Sequence, residues 1–199
     1  MQETLFFYSK IAMIIILVIY ILHRLSWFKK QNFYCNDIDG RCYDIVNQGS
    51  SELFGMVNKT NIRLLEYLRD NYSSDLRTTL LIRNYNPDNI FENIPVSIKN
   101  TSFVENKGKR IGFCTIDKST GTLHNFNLLY FVNLHELTHL AMHREDDVHE
   151  EDFWGDFAWL LKRATEIGYQ PTNYEKNPVV YCGLDIGYNP FFDKRYKNL

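Results

Sequence analysis

The sequence predicts an α+β domain with a small antiparallel sheet, preceded by an amino-terminal transmembrane helix. Three observations carry that expectation. An unbroken apolar run lies near the amino terminus, two helix-length segments near the carboxyl-terminal half are rich in apolar residues, and two short β-like runs lie between them. At 199 residues the chain has room for one domain and an appendage. With 45% hydrophobic and 15% aromatic residues, most of it can bury a core and escape disorder.

The first element is the segment Leu5 to Trp27, apolar without interruption from Ile11 to Leu22. Roughly 20 helical residues cross a hydrocarbon layer of about 30 Å, and Lys10 can snorkel to the near interface. Tyr8, Tyr20 and Trp27 suit the headgroup level. No small-residue cleavage site follows Leu22, so the segment reads as an uncleaved anchor and not as a signal peptide. Arg24, Lys29 and Lys30 follow it, which places the globular part on the cytosolic side by the positive-inside rule. The expected organisation is an anchor over residues 1–30, a linker over 31–48 and a folded domain over 49–199. The lipid bilayer is then a partner through residues 5–27.

After turn signals at Asn36 to Gly40, the segment Ser51 to Leu68 carries Leu53, Met56, Val57, Ile62, Leu64, Leu65 and Leu68 near helical spacing, with a break expected near Thr60. Pro95 to Ile98 and Arg110 to Ile116 are β-like, and the Lys107-Gly108 turn between them suggests an antiparallel hairpin. Asn125 to His143 has the apolar content of a buried helix, and a second helix should run from about His149 to Ile167, closing at Gly168. Trp154, Phe157, Trp159, Leu160 and Leu161 are expected to pack that helix on the first. Beyond Tyr169 an aromatic, Pro-punctuated tail should wrap the domain.

A net charge of -2 gives no basic face, so nucleic acid is not expected as a partner. The four cysteines contain no C-x-x-C pair; Cys35 and Cys42 can bridge around a turn, while unpaired thiols are the simpler reading. The sequons at Asn58, Asn71 and Asn100 read as chance in so Asn-rich a chain.

The chemistry-bearing motif is HELTH at residues 135 to 139. On a helix, His135 and His139 fall on one face, one turn apart, where both imidazoles can reach one zinc ion. Glu136 beside them is suited to take a proton from zinc-bound water and deliver it to a leaving amine. A catalytic zinc takes three protein ligands, and His143, His149, Glu150, Glu151 and Asp152 are candidates for the third. His143 lies about 12 Å along a straight helix from His135, so His149, returned by the polar link REDDV, is preferred.

HELTH followed by His149 and then Phe153-Trp154 resembles the WLM family of zincin-like metallopeptidases, with nine residues instead of the usual five or so between the second and third histidines. RNYNP at 83–87, TSFVENKG at 101–108 and NPVVYCGLDIGYNP at 177–190 are similar to WLM-type proteins of large DNA viruses of eukaryotes. The resemblance covers about residues 50 to 192. It implies a zincin-like domain built around an HExxH active-site helix. His135, His139 and His149 are then ligands of Zn2+, and Glu136 the catalytic base. The implied activity is peptide-bond hydrolysis on a protein or peptide substrate. An anchored viral version would serve in the virion or at its assembly membrane, beside other virion or capsid proteins. The alternative is a structural virion membrane component that keeps the fold and cleaves little. Tyr181 and Tyr188 are possible oxyanion donors, structural roles being simpler in so Tyr-rich a chain. The run Arg110 to Ile116, if an edge strand, could hold a peptide by strand addition.

Overall fold

The computed structural model describes residues 10, 13–18, 33–95, 101–143 and 149–198. Residues 1–32 and 33–199 form separate compact units. In the first, residues 13–18 are helical with exposed apolar side chains. Apart from Lys10, the rest of the expected anchor at 5–27 lies outside the described residues. Among the described residues no helix is long and apolar enough to cross a membrane. This overturns the expectation of a single-pass membrane protein with a cytosol-facing domain.

The second unit starts at Phe33, so residues 33–48 belong to the fold where a linker was expected. Strands β1 (Phe33–Cys35) and β2 (Cys42–Asp44) pair antiparallel around a turn that Asn36 organises, its Oδ1 accepting from the amides of Ile38 and Asp39. Cys35 and Cys42 stand opposite each other in that ladder and are disulfide-bonded. Helix α1 (Gly49–Asn71) follows, and a Cβ at Gly55 would lie 2.3 Å from Asn36 Oδ1, so the glycine admits that turn against the helix. The expected break at Thr60 does not occur: the helix runs through it unbroken, with the Thr60 hydroxyl donating to the Met56 carbonyl at 2.8 Å. Of the apolar residues expected to line the inner face of α1, Leu53, Val57, Leu64 and Leu68 are buried and Leu65 partly so, whereas Met56 and Ile62 are exposed.

Helix α2 (Leu76–Asn84) leads to β3 (Ile90–Glu92), and β4 (Phe103–Glu105) and β5 (Arg110–Phe113) complete a five-stranded sheet in the order β1-β2-β3-β5-β4. The sheet is mixed, which corrects the small antiparallel sheet expected. β2–β3 and β3–β5 run parallel, while β1–β2 and β4–β5 run antiparallel. The long crossover through α1 and α2 supplies what a parallel neighbour needs and a tight turn cannot. β5 is interior and β4 is the edge, so the strand-addition role considered for Arg110 to Ile116 falls. The β4–β5 hairpin does turn at Lys107-Gly108, but its first strand begins at Phe103; of the run Pro95 to Ile98, residues 96–98 lie outside the described residues.

Helix α3 (Phe126–Ala141) is nearly apolar all round because α1, α2, α4 (Glu151–Glu166) and β4 surround it. Asn125 caps its start, accepting from the Leu128 amide at 2.9 Å. Midway, Asn133 and Asn61 of α1 exchange two amide hydrogen bonds of 2.8 and 3.0 Å, both residues being almost fully buried. From Asn61 the network runs through Tyr85 to Asn58. Asn58 is therefore a core residue, and its sequon is closed to modification.

The far end of α3 is held by the hairpin turn. Lys107 Nζ donates to the Met142 carbonyl at 3.0 Å, a cation where the helix dipole favours one, and Asn84 Nδ2 donates to the Leu140 carbonyl. Gly108 makes this approach possible: its φ is +89°, and a Cβ there would lie 2.5 Å from the Asn84 carbonyl oxygen. Gly108→Ala should destabilise the fold by about 2 kcal/mol or more, read as a lower urea midpoint with unchanged slope.

At the carboxyl end, β6 (Val179–Tyr181) and β7 (Leu184–Ile186) form a hairpin whose two turn residues, Cys182 and Gly183, both have positive φ. A second disulfide joins Cys182 to Cys114, just after β5. The tail then lies along α4, where Arg195 and Tyr196 both bond Glu151.

Candidate metal centre

His135 and His139 stand one turn apart on α3. His149 lies just ahead of α4, two residues before its first turn, and faces them across the α3–α4 junction. The Nε2 atom of His149 is 3.0 Å from that of His135 and 3.2 Å from that of His139. Such separations suit an N–H of one ring facing a bare nitrogen of another, and they also suit nitrogens gathered around one cation. Tetrahedral ligands at the usual Zn–N length of about 2.0–2.1 Å sit about 3.3 Å apart, close to both separations. The residues present therefore fit a zinc ion, with each ring offering one nitrogen to the same point. Burial, and then the neighbouring His139 and His149, hold the His135 imidazole well below its ordinary range, so this ring is in the neutral form a metal needs.

The aromatic pair after His149 explains how the third ring is held. Phe153 is fully buried, with its ring centre 4.8, 4.6 and 4.4 Å from those of His135, His139 and His149. Trp154 donates its indole N–H to the His149 carbonyl oxygen at 3.1 Å, fixing the backbone that carries the ring. Trp154→Phe keeps the bulk and loses that bond. Zinc retention should weaken by up to about tenfold against a chelator series, with unfolding unchanged.

His143 is exposed, two residues past the last residue of α3, and lies outside the histidine cluster. Glu151 is engaged by Arg195 and Tyr196. Among the described residues the cluster holds no carboxylate.

Glu136 follows His135 on α3 and is 5% exposed. It lines, with His135, His149 and Trp154, a cavity of about 450 Å³. Phe131 and Val132, one helical turn before His135 and Glu136, form its apolar floor, and Leu184 to Tyr188 form one wall. Thr101 and Ser102, which lead into the edge strand β4, also line it. A cleft with a buried carboxylate, two imidazoles on one face and an adjacent strand edge has the shape and polarity to hold an extended polar chain.

Tyr181 and Tyr188 both line the cavity, yet their hydroxyls are committed elsewhere. Tyr181 donates to the Cys114 carbonyl at 2.6 Å and Tyr188 to the Asp193 carboxylate at 2.8 Å. Burial raises the Tyr181 phenol far above its ordinary range, with the Glu136 charge adding to the effect. Sequence reading took in Thr101 and Ser102 within TSFVENKG but gave them no role at the site, and it missed the Cys114–Cys182 bridge, whose partners are 68 residues apart.

The chain is 33% identical over 186 residues to an uncharacterized protein of Acanthamoeba polyphaga mimivirus, a match covering 88% of this chain and 93% of that one. No family model and no solved structure matches.

Proposed function

We propose that this chain, which belongs to the family of that uncharacterized mimivirus protein, is a zinc-dependent peptidase of WLM type. The observation that carries the reading is the convergence of the His135, His139 and His149 nitrogens at a cavity that His135 and His149 line together with the buried Glu136. His135, His139 and His149 would hold the metal, leaving room for water in the fourth position. Bound zinc supplies a Lewis acid that polarises a carbonyl and acidifies water. Glu136 takes the proton from the attacking water and hands it to the departing amine nitrogen, so the peptide C–N bond breaks as the new C–O bond forms. Phe131 and Val132 exclude bulk water beneath the reacting carbonyl, and the β4 edge supplies backbone groups along which an extended substrate can lie.

The test is cleavage of denatured casein by the full chain after chelation and after return of one equivalent of zinc. Loss and recovery are expected. Cleavage indifferent to chelator overturns the reading, and zinc binding with no cleavage supports a structural role in its place.

A further inference from the structure

The hydroxyls on the cavity wall allow a proton count. The Cys114 carbonyl can only accept, so the single proton of the Tyr181 hydroxyl, 2.6 Å away, goes to it. The Ser102 hydroxyl lies 2.6 Å from the Tyr181 oxygen, whose proton is already used, so Ser102 donates to Tyr181. The order is fixed: Ser102 to Tyr181 to the Cys114 carbonyl. Both ends of this relay are anchored, Cys114 by its disulfide to the residue after Tyr181 and Thr101 by the Asn93 amide on its carbonyl at 3.0 Å. Ser102 therefore has no proton left for the cavity it lines and offers that space lone pairs alone.

We propose that Ser102 Oγ is a substrate-positioning acceptor, taking the amide N–H of a peptide residue beside the scissile bond, and that Tyr181 holds it in the accepting state. The assignment rests on the peptidase reading and narrows it. A group that only accepts selects substrates with an N–H at one position and turns away proline or an ester there. It also removes Tyr181 from the oxyanion site, since its proton points to Cys114. Ser102 immediately precedes the edge strand β4, so the bond it makes continues the direction in which an added strand would pair.

The experiment uses the zinc-loaded full chain. Cleavage sites in denatured casein are mapped, and the best-cleaved sequence is synthesised as a series in which an ester replaces one amide at a time outside the scissile bond. With the native chain one position should lose about tenfold in kcat/KM, the worth of one hydrogen bond. Ser102→Ala should lower kcat/KM for the all-amide peptide by a similar factor, chiefly through KM, and abolish the penalty at that position. Ser102→Thr should restore both, and zinc content should be equal in all. Tyr181→Phe, which releases the Ser102 proton to turn toward the cavity, should shrink the same penalty. Cleavage with every ester penalty intact in Ser102→Ala overturns this assignment while leaving the peptidase reading standing. Absence of any Glu136-dependent cleavage overturns both.

Discussion

Glu136→Gln is expected to keep its zinc and its fold while losing about 10²–10⁴-fold in kcat. The side chain is replaced by one of the same shape, and Glu136 lies outside the three-nitrogen cluster, so metal affinity should change little. The residue is 5% exposed, and an amide of the same shape leaves the packing around it unchanged. Only the capacity to accept a proton disappears. Because such a group acts in the transition state, KM should move far less than kcat. Equal loss of zinc and activity would mean that Glu136 shapes the metal site, and unchanged activity would remove it from the chemistry.

The second large effect separates two histidines that sequence spacing left in competition. His149→Ala removes one of the three converging nitrogens and should weaken zinc binding by more than about 100-fold, the upper range for losing a supporting group of a ligand. Zinc at 100 times its dissociation constant stabilises a folded protein by about 2.7 kcal/mol, so the zinc-dependent rise in unfolding temperature should vanish with it. His143→Ala should leave binding, stability and cleavage as they are, because that ring is exposed and outside the cluster. The reverse outcome would relocate the third ligand.

Helical segments were the most legible part of the fold. The spacing of Leu53, Val57, Leu64 and Leu68 marks α1, and the apolar run before His143 marks α3, since helix periodicity depends on near neighbours. The sheet was less legible. Its parallel centre depends on pairings such as Asp44 with Phe91, where three-residue strands separated by two helices leave no local trace. The spacing of His135 and His139 could be read directly. The placing of His149 could not, because nine intervening residues fix no geometry; Phe153 beneath the ring and the Trp154 bond to its carbonyl do that work. The cysteine bridge at Cys114 and the Ser102–Tyr181 relay had no signature at all, being products of how the β6–β7 hairpin folds back on β5. The amino-terminal run misled for the opposite reason. Its composition was unmistakable, yet no helix among the described residues is long and apolar enough to cross a membrane.

X-ray absorption at the zinc edge of the metal-loaded chain tests the three-histidine centre most directly. The arrangement predicts three imidazole nitrogens and one further light atom at about 2.0–2.1 Å, with one imidazole lost in His149→Ala. A sulfur shell near 2.3 Å, a six-oxygen shell, or a spectrum unchanged by His149→Ala would contradict it.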